Sequence, residues 1–129
     1  MTRLTARGVL TVAIVVLTIV GVAVGFSLET ASKDVGHSAS VTIVNGAWDS
    51  SNSQHFFPAT ITVVIGVNNT VIWTNNDTVY HTVTSLTGVF NSGLLNSGNS
   101  WNYTFTAPGT YNYHCTLHLF MDGSVIVIS

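Results

Sequence analysis

The stretch Tyr111-Asn112-Tyr113-His114-Cys115-Thr116-Leu117-His118-Leu119-Phe120-Met121 holds the single cysteine of the chain, followed at equal three-residue steps by a histidine and a methionine. It lies between two runs that read as strands, Gly109 to Cys115 and Ser124 to Ile128. Successive side chains of a strand point to opposite faces. Tyr111, Tyr113 and Cys115 therefore share one face, and Asn112 and His114 the other. With the aromatic face inward, Cys115 points into the core and His114 away from it, a poor place for a ligand. A thiolate, an imidazole and a thioether in one short loop form a donor set for copper rather than for zinc or a hard cation.

Working outward, the texture from Ala39 onward is of short β-rich runs separated by Gly, Asn, Ser and Pro, and no helical period competes with it. Strands are expected over Ser40 to Val44, Thr60 to Ile65, Thr70 to Thr74, His81 to Thr84, Ser100 to Thr106, Gly109 to Cys115 and Ser124 to Ile128. Parity puts Trp101, Tyr103 and Phe105 on one face, and sets Ile61, Val63 and Ile65 against Thr60, Thr62 and Val64. It also puts His81 and Val83 inward, with Thr82 and Thr84 outside. A copper plane of two imidazoles and one thiolate, completed by a weak axial thioether, needs a second histidine besides His118. His81 is the best supplier, because it opens an inward-facing strand after the turn Asn75 to Tyr80. Taken alone, a cysteine is more often a small buried hydrophobe, and a methionine in an apolar loop is more often packing. Four such donors in this order and spacing favour a metal site.

Phe57-Pro58-Ala59-Thr60-Ile61-Thr62-Val63, Val71-Ile72-Trp73-Thr74-Asn75-Asn76-Asp77, His81-Thr82-Val83, Phe90-Asn91-Ser92-Gly93 and the block from Pro108 to Met121 together resemble the cupredoxin family, in particular its amicyanin and plastocyanin group. The resemblance runs from about Phe56 to the last residue. It implies an all-β Greek-key sandwich over residues 39–129 binding one type 1 copper through His81, Cys115 and His118, with Met121 axial. It also implies that the protein carries single electrons between redox partners and is not an enzyme. Two positions depart from the family pattern. Thr82 stands where members commonly carry an Asn that ties the two ligand loops together, and Leu117 and Leu119 stand where amicyanin-like loops favour proline. Proline pre-sets the backbone, so the leucines should leave the metal-free loop less restrained.

In the family, the edge of the loop histidine is the route for electrons, within a hydrophobic docking patch. Here Leu117, Leu119 and Phe120 surround His118, so redox partners are expected to dock at that apolar face, through the small interfaces of brief encounters. Arg3, Arg7 and Lys33 are the only basic residues, and none follows residue 33. A nucleic-acid footprint, which needs clustered cations, is excluded, and no small-molecule substrate is expected. A thiol enzyme would need Cys115 accessible and paired with a base, against its inward parity. A binuclear copper centre would need a second cysteine. A copper reductase would need a further metal site, for which His55 is the one spare candidate. Copper storage or delivery is the more serious alternative to electron transfer.

Gly8 to Leu28 is a run without charge, and as a helix it would span roughly the 30 Å of a bilayer's hydrocarbon core. Arg3 and Arg7 precede it and Glu29 follows, which leaves residues 1–7 cytoplasmic and sends the domain across. Residues 8–28 are thus expected as a transmembrane anchor of a single-pass cell-membrane protein, with 29–38 a polar linker. A cleaved signal is the rival, for which Val24-Gly25-Phe26-Ser27 is a poor cleavage site. His37 reads as solvated, and Trp48, Trp73 and Trp101 as packing. Asn68, Asn76 and Asn102 each open an N-glycosylation acceptor pattern.

Overall fold

The structure, a computed structural model, describes residues 37–129 together with two short strands nearer the start, β1 (Thr18–Ile19) and β2 (Val22–Ala23), which pair antiparallel. The rest of the expected span over 8–28, residues 1–7 expected in the cytoplasm and residues 29–36 of the expected linker lie outside the described residues. Among the described residues, no helix is long and apolar enough to cross a membrane.

From residue 39 the chain forms β3 (Ala39–Ile43), β4 (Phe56–Phe57), β5 (Thr60–Val64), β6 (Thr70–Asn75), β7 (Thr84–Ser85), β8 (Ser100–Thr104), β9 (Gly109–His114) and β10 (Asp122–Ile128). These make two four-stranded sheets, ordered β4-β3-β6-β8 and β5-β10-β9-β7. The β3/β6 and β5/β10 pairs are parallel and the others antiparallel. The expected all-β sandwich is therefore present. Its faces follow the alternation in the sequence: Val71 and Trp73 of β6 are buried, as are Val125 and Val127 of β10, while Asn102, Thr104 and Thr106 are exposed.

The sheets meet through aromatic rings. Tyr113 of β9 stands edge-on to Trp73 of β6, centroids 5.5 Å apart, and to Phe56 of β4 at 5.0 Å. Phe90, between β7 and β8, packs on Trp73, Trp101, Tyr103 and Phe105. Burying each such side chain stabilises the domain by about 1.5–3 kcal/mol. Trp48 is the exception among the tryptophans expected to pack, since its side chain is 50% exposed.

Two expectations need correction. The strand expected over His81 to Thr84 is absent as such: His81 makes an isolated bridge to Leu95, and regular pairing begins only at Thr84. Thr82 is consequently buried rather than outward-facing, because its hydroxyl turns to a neighbouring loop instead of following the pleat. The short strand Phe56–Phe57, beside Pro58, carries too little sequence to show a period.

Gly123 lies directly across from Tyr113 in the β9/β10 register. A Cβ there would overlap the Tyr113 ring, so the glycine makes room for a large, fully buried side chain of that strand. Gly123→Ala is expected to cost about 1–3 kcal/mol by overpacking, read as a lowered denaturation midpoint. A variant as stable as the parent would mean that the ring has other room.

Candidate metal centre

The site forms where β6 and β9 finish and the chain crosses from one sheet to the other. Asn75, the last residue of β6, is fully buried and organises the crossing. Its Nδ2 donates to the carbonyls of Val79 (2.8 Å) and Leu95 (2.9 Å), and its Oδ1 accepts from the Asp77 N–H (2.9 Å). The His81 and Leu95 backbones then exchange hydrogen bonds of 3.2 and 2.8 Å. His81 is thereby presented from a backbone that is satisfied without help from a regular strand.

The second loop begins after β9. Cys115 N–H donates to the Met121 carbonyl (3.1 Å) and Met121 N–H to that of His118 (2.9 Å), which closes the loop on itself. Both Cys115 and Met121 are fully buried. The two loops are joined through Thr82: its N–H lies 3.3 Å from Cys115 Sγ, and its Oγ1 accepts from the Thr116 N–H at 2.9 Å. Thr82 and Thr116 hydroxyls are a further 3.1 Å apart. Threonine thus ties the loops at the position where the resemblance led one to look for asparagine.

His81, Cys115 and His118 come together with their donor atoms all within 4.8 Å of one another. Sγ stands 3.7 Å from Nδ1 of His81 and 3.7 Å from Nδ1 of His118. A metal bonded at about 2.0–2.3 Å to a nitrogen and a sulfur holds them roughly 3.6–3.8 Å apart, so the donors stand ready for one ion. The set of one thiolate and two imidazoles suits a single type 1 copper. His114 is outside the cluster, on the face parity gave it. His55 joins no such cluster among the described residues. Its Nδ1 lies 3.0 Å from the Ala47 carbonyl oxygen, and its ring packs on Phe120, which in turn lies 6.0 Å from His118. Leu117, Leu119 and Phe120 are 51%, 77% and 40% exposed beside it.

One residue at the site was missed by the sequence reading. Asp77, fully buried, lies 2.8 Å through Oδ2 from Nε2 of His81, on the ring edge opposite the cluster. The only sequence signal was an acidic residue four positions before a candidate ligand. Burial pushes its carboxyl up, but bonds from His81 and from the N–H groups of Gly46, Thr78 and Trp48 outweigh that and hold it below the ordinary value. Burial pushes the His81 imidazole down, and Cys115 and Asp77 together bring it above its ordinary value.

Cys115 behaves likewise: burial alone would push the thiol up, yet His81, the Thr82 N–H, His118 and the Leu117 N–H bring it down to about 6. A depressed thiol contributes stability that is fully present above its ordinary value of 9.0 and lost as pH falls through about 6. In the metal-free protein the ultraviolet thiolate absorbance is expected to appear with a midpoint near pH 6. The fall in stability between those limits should vanish in Cys115→Ala. A midpoint in the ordinary thiol range would contradict this.

A family profile described as a cupredoxin-like domain matches residues 15–127. Amicyanin of Paracoccus denitrificans is 37% identical over 68 residues, 49% of this chain and 52% of that protein. Amicyanin-alpha of Methylorubrum extorquens is 37% identical over 70 residues, 50% and 59%. The chain thus spans only about half the length of the curated relatives it matches. Among solved structures, a purple cupredoxin from Nitrosopumilus maritimus is similar with a TM-score of 0.64 and 33% identity, over 70% of this chain and 99% of that one. An amicyanin variant in the Cu(I) state aligns with a TM-score of 0.58 and 28% identity, over 70% and 82%. With the sandwich, the three-donor cluster and these matches in agreement, the chain is a member of the cupredoxin family.

Proposed function

We propose that the protein is a type 1 copper protein that passes single electrons between redox partners and transforms no substrate. The observation that carries this reading is the cluster of one thiolate and two imidazoles with Nδ1 to Sγ spacings of 3.7 Å, closed by the Thr82 N–H on the same sulfur. His81, Cys115 and His118 would hold the ion, with Met121 at the weak axial position. When bound, copper supplies the one-electron couple. The protein's part is to keep the donors still, which the Thr82 bonds and the closed Cys115 to Met121 loop do, so that little rearranges at each transfer. Leu117, Leu119 and Phe120 offer an apolar rim around His118 on which a partner docks weakly and leaves quickly. Being apolar, the rim gives contact without the slow release of paired charges.

The location belongs to the same proposal. Residues 8–28 anchor the chain in the cell membrane with residues 1–7 inside, so that the copper domain works on the extracytoplasmic side. The uncharged run between Arg7 and Glu29 supports this reading.

Optical and spin-resonance spectra of the copper-loaded protein test the site. Cys115→Ser is expected to abolish the intense visible charge-transfer band while leaving a folded domain, and an unchanged spectrum would sink the assignment. Met121→Leu should retain copper and raise its potential, since the axial donor tunes it; an unmoved or lowered potential would remove Met121 from the ligand set. Redox cycling against a cytochrome, set beside competition with a Cu(I) chelator, separates a carrier from a storage or delivery protein. For the anchor, membrane fractionation should retain the full-length chain, unreduced in mass, and release a form lacking residues 1–36; a mature protein short of residues 8–28 would mean a cleaved signal.

A further inference from the structure

Asp77 carries a negative charge into the interior of a domain that holds no lysine or arginine to meet it. A carboxylate has about four acceptor positions when ionised, and one must become a donor when it is protonated. All four are used here: Oδ1 accepts from the N–H groups of Gly46 (3.0 Å) and Thr78 (2.7 Å), and Oδ2 from Trp48 N–H (3.1 Å) and His81 Nε2 (2.8 Å). Three of the four are backbone N–H groups that can only donate, so a proton on Asp77 would have to sit on the line joining Oδ2 to His81 Nε2, where the imidazole is the stronger base. Three backbone dipoles hold the carboxylate ionised, and no lysine or arginine of the domain cancels its charge.

We propose that Asp77 is a positioning residue that locks His81 with Nε2 protonated, leaves Nδ1 as the nitrogen that takes a metal beside Cys115, and lowers the reduction potential of the centre. This rests on the copper reading above. The lock follows from geometry: the ionised Asp77 can only accept, so the ring nitrogen facing it donates, and Nδ1, which faces the sulfur, is the nitrogen left to give up its proton to a metal. The potential follows from charge. An uncompensated buried anion favours the more positive of two metal states, the oxidised one, in a surrounding of low dielectric.

Asp77→Asn removes the charge and turns an NH2 group toward N–H donors. It is expected to shift the copper couple toward the reduced form at least about tenfold at fixed applied potential, 59 mV for one electron. Asp77→Glu, which keeps the charge, should recover part of that shift. A role confined to holding the loop would lower stability without this dependence on charge, so equal potentials in Asp77→Asn and wild type would overturn the proposal. If neither variant folds, the metal-free wild-type protein decides it: nitrogen NMR should find Nε2 of His81 protonated, its proton slow to exchange. A bare Nε2 would overturn the lock. Should the wild type give no type 1 spectrum, the copper reading itself has failed; a normal spectrum with an unmoved potential in Asp77→Asn defeats this inference alone.

Discussion

The centre depends on a contact that no single element provides: two loops, from different parts of the chain, must stay joined within a few ångströms while carrying opposite halves of a donor set. Thr82 performs the joining. Its backbone serves the Cys115 sulfur, and its side chain takes the Thr116 N–H that would otherwise be unpaired near a buried site. Each bond is worth only about 0.5–1.5 kcal/mol net. The larger consequence is geometric, since both bonds originate at the residue next to His81, so the imidazole cannot drift relative to the sulfur unless both loops move.

Much of this was legible in the sequence, and what was not has a common cause. Period-two alternation assigned Tyr113 and Cys115 to the core and His114 away from it, because β9 is regular and packs on one side only. His81 does stand in the cluster with Cys115 and His118, although the strand invoked to place it is not there. A buried residue opening a loop and one opening a strand look alike over four positions. Asp77 escaped, and Thr82 was read only as a departure from the family pattern, because their roles come from partners 31 and 34 positions away, Gly46 and Thr116. No local pattern encodes those pairings. The Phe56–Phe57 strand escaped for a different reason, being too short for any period.

Rigidity is distributed unevenly through the domain. The ring cluster around Phe90 and Trp73 fills the space between the sheets, whereas the ligand loop presents leucines to solvent and is closed by a few backbone bonds. That division keeps the donor residues still while the rim beside them lies open to solvent. Within the cluster, Trp73 Nε1 and Tyr113 Oη are buried without hydrogen-bond partners. Burial, only partly offset by Trp73, pushes the Tyr113 phenol up to about 12, so the ring stays neutral and functions as a hydrophobe.

The strand order also constrains how the domain comes into being. β10 lies between β5 and β9, so β5, formed some sixty residues earlier, has no partner in its sheet until β10 arrives. A chain emerging from the ribosome therefore cannot bring β5 into this sheet before β10 is out. Contacts so distant in sequence make for slow closure and a long exposure of unpaired strand edges. The scarcity of charge on this chain leaves little to keep such edges apart, and β5 stays an open edge until β10 is laid beside it.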